Sequence, residues 1–174
     1  MKKLIVIPTY NEKKNISIIL KKILKLYKSS FDILIIDDNS PDGTHKEVLK
    51  FIKKHKFIKL IVRKMKLGIG SAHKCGIKYA FKRKYEILIT MDSDGTHDPK
   101  YIKNLMTQIK KYDLISTNRF KNHKSLNDWP VSRKLLTSVR HLIIKLFLGI
   151  SIDASGAYRC YNLKNIKYNH MLAA

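Results

Sequence analysis

Short apolar runs alternate with longer amphipathic segments along the chain up to about residue 117. Several runs are continuously apolar, which is typical of strands buried on both faces of a parallel sheet. The segments between them repeat apolar residues every three or four positions, as Ile16, Ile19, Leu20 and Ile23 do, and this spacing predicts amphipathic helices. The predicted strands cover residues 3–7, 32–37, 59–63, 86–91 and 113–117, and the predicted helices lie near 13–27, 44–55, 70–83 and 99–111.

This order of strands and helices predicts an α/β fold, in which a mostly parallel, Rossmann-like sheet is flanked by helices in a single domain. The pattern changes after the fifth strand. Residues 118–130 form a polar, basic segment, and residues 131–150 combine leucine and isoleucine with cations. The latter segment predicts a helix that either packs on the core or lies in a membrane interface. Residues 155–174 predict one short strand and little else.

Polar residues collect where three of the predicted strands end. The first strand runs into residues 8–12 (PTYNE), the second into residues 37–43 (DDNSPDG), and the fourth into residues 92–94 (DSD). Because ligands of open α/β sheets bind beyond the carboxyl ends of the strands, these residues are expected to meet at one edge. Carboxylates beside buried strand ends need hydrogen bonds, cations or a metal.

Asp92 and Asp94 are the candidate metal ligands. They lie one residue apart and can reach a single hard cation if the chain turns at Gly95. Mg²⁺ and Mn²⁺ take oxygen ligands, and Mg²⁺ is commonly held by one or two carboxylates together with substrate phosphates. The competing interpretation is an Asx turn that leads into a capped helix, with Asp98 as the cap and Pro99 at the first helical position.

The acids after the second strand have two interpretations. Asp37 and Asp38 could hydrogen-bond a ribose or base, as acids at strand ends do in dinucleotide-binding folds. The following residues are also good turn formers, so Asp42 could be only a cap. Residues 67–72 (LGIGSA) would let backbone approach a ligand closely, but their spacing is neither the G-x-G-x-x-G fingerprint nor a Walker A motif. Hydride transfer and ATP hydrolysis are therefore disfavoured.

The chain is strongly basic, with 36 lysines and arginines against 13 acids and a formal charge of +23. Such a charge favours anionic partners, although a compositional drift toward lysine would produce the same excess. Nucleic acid is disfavoured because the acidic edge would repel a phosphate backbone and the tyrosines are scattered. The candidate phosphate-neutralising cations are Lys66, Arg119, Arg133 and Arg159, of which Arg119 follows the fifth strand.

Targeting signals and a disulfide framework are not predicted. The N-terminal apolar run is too short for a signal peptide, and no apolar run approaches the length of a membrane span. Cys75 and Cys160 are too few for a disulfide scaffold, so a reducing compartment is expected.

Taken together, these motifs resemble those of the inverting family 2 glycosyltransferases, which have the GT-A fold, and most closely those of the dolichol- or polyprenol-phosphate mannosyltransferases. The matching segments are VIPTYNE (6–12), IIDDNSPDGT (35–44), KLGIGSAHKCG (66–76), MDSDGTHDP (91–99), STNRF (116–120), WPVSRKL (129–135) and SGAYRCY (155–161). The resemblance implies a GT-A domain over residues 1–162, incomplete at its C-terminus, and a tail over 163–174.

The resemblance also implies roles for individual residues. Asp92 and Asp94 would hold Mg²⁺ or Mn²⁺, and Asp94 and Arg119 would be the catalytic residues. Arg133 and Arg159 would face the acceptor phosphate. The nucleotide-sugar site would comprise Pro8, Tyr10, Glu12, Ile36, Asp38, Lys66, Ala72, Asp92, Ser93, Asp94 and Arg119.

The expected reaction is transfer of a hexose, mannose from GDP-mannose, to a polyprenyl or dolichyl phosphate. The alternatives are a UDP-sugar donor such as UDP-glucose, or a truncated domain that binds nucleotide sugar without turnover. Gly95-Thr96 replaces the family's usual Leu-Ser or Met-Ser, and the family's later basic loop and C-terminal membrane helices have no counterpart in this sequence. The expected location is the cytoplasmic face of a membrane, where a separate membrane-anchor subunit is a possible partner.

Overall fold

The structure is a computed structural model, and it describes residues 1–117, 139 and 156–172. The chain divides into two compact units, Met1–Ile115 with Tyr158–Ala174, and Ser116–Ala157. The first unit contains nearly all of the described residues. The predicted helix at 131–150 lies outside the described residues, apart from Val139.

The described strands and helices follow the predicted order. The strands are β1 (Lys3–Thr9), β2 (Asp32–Asp37), β3 (Ile58–Val62), β4 (Ile87–Thr90), β5 (Leu114–Ser116) and β6 (Arg159–Asn162). The α-helices are α1 (Lys13–Tyr27), α2 (Thr44–Ile52), α3 (Ile69–Lys82), α4 (Ile102–Gln108) and a C-terminal helix (Tyr168–Leu172), and a 3₁₀ turn (Pro99–Tyr101) precedes α4.

The described strands form one sheet in the order β3-β2-β1-β4-β6-β5. The pairs β1–β2, β1–β4 and β2–β3 are parallel, whereas β6 runs antiparallel to β4. The predicted mostly parallel α/β sheet with flanking helices is therefore confirmed. The antiparallel β6 is the short strand that the sequence predicts near the C-terminus.

The continuous apolar runs are explained by helices on both faces of the sheet. In β1, Ile5 and Ile7 pack with α1, α2 and α4, while Leu4 and Val6 pack with α3, and all four side chains are fully buried. Burying a side chain of this size contributes about 1.5–3 kcal/mol. The parallel strands thus hold their carboxyl ends in a fixed register at one edge.

The start of the 3₁₀ turn and α4 agrees with the sequence. Asp98 accepts a hydrogen bond from the Lys100 N–H (3.0 Å), and Pro99 occupies the first position of the 3₁₀ turn. That hydrogen bond, acting against partial burial, lowers the pKa of the Asp98 carboxyl. The proposed boundary between domain and tail at residue 162 stays a prediction. Leu163 is buried in the core on the α3 side.

Candidate nucleotide-sugar site

A cavity of about 310 Å³ lies at the carboxyl ends of β1, β2 and β4. The parallel registers bring these ends together, since Thr9 pairs with Asp37 and Val6 pairs with Thr90, two residues before Asp92. The lining residues are Pro8, Thr9, Tyr10, Glu12, Asp38, Lys66, Gly68, Ile69, Ala72, Asp92, Ser93 and Asp94. This is the edge at which the sequence predicts a ligand site.

Most of the sequence-predicted residues are brought together at this edge. The structure places nine of them in the lining: Pro8, Tyr10, Glu12, Asp38, Lys66, Ala72, Asp92, Ser93 and Asp94. Ile36 is not among the lining residues, because its side chain is fully buried in the core on the α3 side. Arg119 and Arg133 lie outside the described residues.

The turn after β4 carries the candidate metal ligands. Asp94 is exposed, and its Oδ1 accepts hydrogen bonds from the N–H (3.0 Å) and hydroxyl (2.7 Å) of Thr96. Gly95 between them has φ +88°, the conformation the turn requires. The Asx turn is therefore present, and Asp94 Oδ2 accepts no hydrogen bond from the described residues.

Neighbouring groups fix the start of this turn. The Asp92 N–H donates to Nδ1 of His97 (2.8 Å), so this ring nitrogen carries no proton and the other one does. The His97 ring stacks on Tyr158, with 4.9 Å between the centroids. Ser93 is buried, and its hydroxyl donates to the Pro8 carbonyl (3.4 Å). The turn is thereby tied to the end of β1.

The donor set fits a hard divalent cation. Asp92 and Asp94 supply carboxylate oxygens to one cavity wall, and no group of three or more potential metal-binding side chains occurs among the residues that the structure describes. Two carboxylates without a third protein ligand match the way in which Mg²⁺ is held with substrate phosphates. The residues present are compatible with a metal that completes its shell from a diphosphate.

The acids after β2 are engaged within the protein. Asp37 is fully buried and accepts hydrogen bonds from the hydroxyls of Thr9 (2.8 Å) and Ser40 (2.6 Å) and from the Ser40 N–H (2.9 Å). Asp42 accepts from the N–H and hydroxyl of Thr44 and from the Lys13 N–H. Desolvation opposes ionisation of Asp42, but these hydrogen bonds outweigh it and lower the pKa of the carboxyl. Asp42 is thus a turn-stabilising residue.

Asp38 lines the cavity but is only 4% exposed. One of its oxygens forms an ion pair with Arg63, and the other accepts hydrogen bonds from the N–H groups of Leu67 and Gly68 (both 2.9 Å). Nothing in the sequence motifs singled out Arg63. Its position directly after β3, beside the acids that end the neighbouring strand β2, is the signal that could have identified it.

A cationic side chain also overhangs the cavity. The Lys66 ammonium lies 4.0 Å from the ring centroid of Tyr10, a cation–π contact between two lining residues. Lys66 therefore places positive charge in the lining of the cavity. Thr9, Gly68 and Ile69 also line the cavity. They fall within segments 8–12 and 67–72, which the sequence placed near a ligand, although they were not among the individual residues predicted for the site.

Arg159 lies at the start of β6, opposite Thr90 of β4, and thus near the turn with the candidate metal ligands. The positive charge of Arg159 acts on the pKa of His73 in α3. Burial, reinforced by the Arg159 charge, lowers the pKa of His73 to about 4, so the imidazole is neutral at pH 7. Both ring nitrogens of His73 are buried without a hydrogen-bond partner among the described residues.

Comparison with known proteins identifies the family. The model of glycosyl transferase family 2 matches residues 4–166. The chain belongs to this family. The resemblance carried by the sequence motifs is confirmed, and so is the predicted enzyme class, at the level of the family.

Two relatives narrow the comparison. The chain is 30% identical over 168 residues to the undecaprenyl-phosphate mannosyltransferase of Micrococcus luteus, covering 96% of this chain and 69% of that protein. It is also 30% identical over 162 residues to the polyprenol monophosphomannose synthase of Mycolicibacterium smegmatis, covering 91% of this chain and 60% of that protein. The chain thus spans only part of the length of both relatives.

A solved structure supports the fold. Glucosyl-3-phosphoglycerate synthase from Mycobacterium tuberculosis, in complex with Mn²⁺, UDP-glucose and phosphoglyceric acid, superposes with a TM-score of 0.67 at 16% identity. The match covers 94% of this chain and 57% of that one. At this identity the likeness concerns the fold alone.

Proposed function

We propose that this chain transfers mannose from GDP-mannose to a polyprenyl or dolichyl phosphate, with inversion at the anomeric carbon. The single observation that carries the proposal is the cavity at the strand ends, which nine residues predicted for a nucleotide sugar line together. Membership of the family and the two relatives, both named as mannosyl-transferring enzymes that act on polyprenyl phosphates, support the choice of sugar and acceptor.

Asp92 and Asp94 would hold Mg²⁺ or Mn²⁺, which would neutralise the charge that develops on the leaving diphosphate. Lys66 would add positive charge in the same cavity, since its ammonium already lies over the ring of Tyr10. Pro8, Tyr10, Glu12, Asp38 and Ala72 would shape the pocket for the nucleotide. Arg119 would act on the donor diphosphate or the acceptor phosphate, and Arg133 and Arg159 on the acceptor phosphate.

The acceptor needs little activation. A phosphate monoester has its second pKa near 6, so at pH 7 the acceptor is already a mostly dianionic nucleophile. One of its oxygens would form the new bond to the anomeric carbon while the bond to the diphosphate oxygen breaks on the opposite side. The protein's contribution is therefore positioning and neutralisation rather than general-base catalysis.

The basic surface suits an acceptor in an anionic membrane. The formal charge of +23 would attract the chain to anionic lipids, where each cation near the surface contributes about 1 kcal/mol. None of the helices within the described residues has the length and apolar character to cross a bilayer. We propose peripheral attachment at the cytoplasmic face, with or without a separate membrane-anchor subunit.

The donor can be tested before the acceptor. Calorimetric titrations of GDP-mannose and UDP-glucose, each with and without Mn²⁺, should show Mn²⁺-dependent binding of GDP-mannose to the wild type. Asp94→Asn should abolish the dependence on Mn²⁺. Asp113→Asn is the matched control, because Asp113 is an exposed acid that bonds Asn165 outside the cavity.

A transfer assay with polyprenyl phosphate and labelled GDP-mannose then tests turnover. Mn²⁺-dependent formation of a lipid-linked mannose supports the proposal. Preferential binding of UDP-glucose would make UDP-glucose the donor in place of GDP-mannose. Donor binding without transfer would favour a domain that binds nucleotide sugar without turnover. Binding of neither nucleotide sugar by a folded sample would refute the proposed function.

A further inference from the structure

Large apolar side chains are exposed together in one segment, which begins at the last residue of β3 and continues into the following loop. Val62, Met65, Leu67 and Ile69 are between 46% and 61% exposed, so four such side chains fall within eight consecutive residues. Elsewhere in the part of the chain that the structure describes, at most two exposed large apolar side chains lie within eight consecutive positions. Single exposed apolar residues are ordinary, whereas a group of them rimmed by polar residues marks an interaction surface.

The backbone of this loop is held by hydrogen bonds to the rest of the domain. The N–H groups of Leu67 and Gly68 donate to the Asp38 carboxylate (both 2.9 Å), and the Gly68 carbonyl accepts from Nη2 of Arg63 (3.0 Å). The side chains of Met65 and Leu67 are therefore exposed by a loop whose backbone is fixed. Their exposure is a property of the fold, and it requires an explanation in terms of a partner.

The charge around the loop is of one sign. Residues 48–85 contain 13 lysines and arginines and no aspartate or glutamate. Within the loop, the exposed Lys64 and Lys66 alternate with Met65 and Leu67. Cations that flank apolar side chains fit the surface of an anionic bilayer, because the ammonium groups contact lipid phosphates while the apolar groups enter the acyl boundary. A soluble polyanion would bind the cations but offers no apolar phase to Met65 and Leu67.

The loop also lies at the rim of the cavity. Lys66 and Ile69 belong to the cavity lining, and β3 runs parallel to β2, so the loop follows the carboxyl end of its strand. A bilayer bound by this loop would therefore lie beside the opening of the cavity, which is where a phosphate carried by a membrane lipid would have to arrive.

We infer that residues 62–67 form a membrane-docking surface, in which Val62, Met65 and Leu67 enter the headgroup region of an anionic bilayer and Lys64 contacts lipid phosphate. The inference deepens the proposed function, since it rests on the peripheral attachment proposed there and names the surface that makes it. It does not depend on the identity of the sugar or on turnover.

The first test measures co-sedimentation of the full chain with phosphatidylcholine vesicles, with and without phosphatidylglycerol as about one third of the lipid, in the absence of nucleotide. The double variant Met65→Ser/Leu67→Ser should bind the anionic vesicles at least about tenfold more weakly than the wild type, and Lys64→Gln about fivefold more weakly. The loss caused by Met65→Ser/Leu67→Ser should persist at high salt, whereas the loss caused by Lys64→Gln should disappear.

Lys82→Gln is the matched charge control. Lys82 is an exposed lysine at the last position of α3, about 20 Å along the helix from its first residue, at 1.5 Å per residue. This distance exceeds the Debye length of about 8 Å at physiological salt, so Lys82→Gln should change vesicle binding by less than about twofold. Thermal unfolding of each variant confirms that it folds.

The second test asks whether the loop enters the lipid. The fluorescence of Met65→Trp is measured on vesicles whose acyl chains carry bromine, a quencher, and the signal of Trp129, the single tryptophan of the chain, is subtracted using the wild type. Quenching of at least about twofold is expected for Met65→Trp. Tyr112→Trp is the control and should not be quenched. Tyr112 is exposed at the amino ends of the parallel strands, since the next residue, Asp113, accepts a hydrogen bond from Asn162, which pairs with the start of β4.

Two results would overturn the inference. Equal vesicle binding by Met65→Ser/Leu67→Ser and the wild type would mean that charge alone, or another part of the chain, contacts the lipid. Absence of binding to anionic vesicles would leave the exposed group as a surface for a protein or a soluble polyanion. Either result leaves the proposed function standing if nucleotide sugar still binds in calorimetry. Vesicle binding that depends on Met65 and Leu67, in a protein that binds no nucleotide sugar, would refute the proposed function and keep the docking surface.

Discussion

Two pairs of acids lie at the same edge of the sheet, one after β2 and one after β4, and they differ in burial and in hydrogen bonding. After β2, Asp37 and Asp38 are buried and bonded to protein donors on both oxygens. After β4, Asp94 is exposed, and within the part of the chain that the structure describes its carboxylate accepts hydrogen bonds at Oδ1 alone, from Thr96. Of the first pair, only Asp38 is among the residues that line the cavity, whereas Asp92 and Asp94 both line it.

The difference comes from the donors that surround each pair. The chain around β2 supplies Thr9, Ser40 and Arg63, and a buried carboxylate is stable only when such donors satisfy it. Among the described residues, Asp94 in the turn after β4 accepts from one hydroxyl and one N–H, both of Thr96. Under the proposed function, the donors within reach, and not the spacing of the acids, distinguish the structural pair from the proposed metal-binding pair.

Removing the buried acid should have the largest effect. Asp37→Ala would leave three donors without their acceptor, and each such group costs about 1–3 kcal/mol, so we expect a loss of about 3 kcal/mol or more in the free energy of unfolding. Urea denaturation measures it. Asp94→Asn is the control and should change this free energy by less than about 0.5 kcal/mol.

Asp37→Asn provides a milder version if the alanine variant does not fold. The amide keeps the volume and one acceptor oxygen but turns an NH₂ donor toward the hydroxyls, so an intermediate loss of about 1–2 kcal/mol is expected. If Asp37→Asn and Asp94→Asn cost the same, the contrast between the two pairs is not real.

The exposed acid should instead control the response to ligand. A ligand present at about 100 times its Kd stabilises a protein by about 2.7 kcal/mol, and wild-type protein with Mn²⁺ and GDP should show a corresponding rise in Tm. Asp94→Asn should lose most of that rise while its Tm without ligand stays unchanged. Asp113→Asn should keep the full response. A normal response from Asp94→Asn would mean that the metal, if it binds, is held by other residues.

Much of the fold follows from the sequence because the periodicities are strong. The parallel sheet, the stripe of Ile16, Ile19, Leu20 and Ile23 on α1, and the Asp98 cap are all confirmed by the structure. The strand ends were predicted to meet because parallel strands share one direction. Element boundaries were less predictable, as the helix predicted for 99–111 begins with a 3₁₀ turn and α4 ends at Gln108.

The candidate site was predictable where a motif follows a strand and less so where partners are distant in sequence. The network of Asp38 and Arg63 joins residues separated by 25 positions, and only the pairing of β2 with β3 brings them together. Ile36 differs from these residues. The family resemblance assigns it to the site, but its side chain is fully buried in the core. The roles of individual residues stay predictions until binding is measured.

The smallest expected effect comes from two glycines, Gly68 and Gly70, in and after the loop whose amides donate to Asp38. An added Cβ would meet nothing within 4 Å at either Gly68 or Gly70, so sterics against neighbours are equal. Only Gly68 has a positive φ, and alanine there should cost about 1–2 kcal/mol and accelerate exchange of the Leu67 and Gly68-position amides. Gly70→Ala, in the first turn of α3, should be neutral or stabilise the protein by up to about 1 kcal/mol. Chemical denaturation and amide exchange of both variants measure this, and equal effects would contradict the positive φ of Gly68.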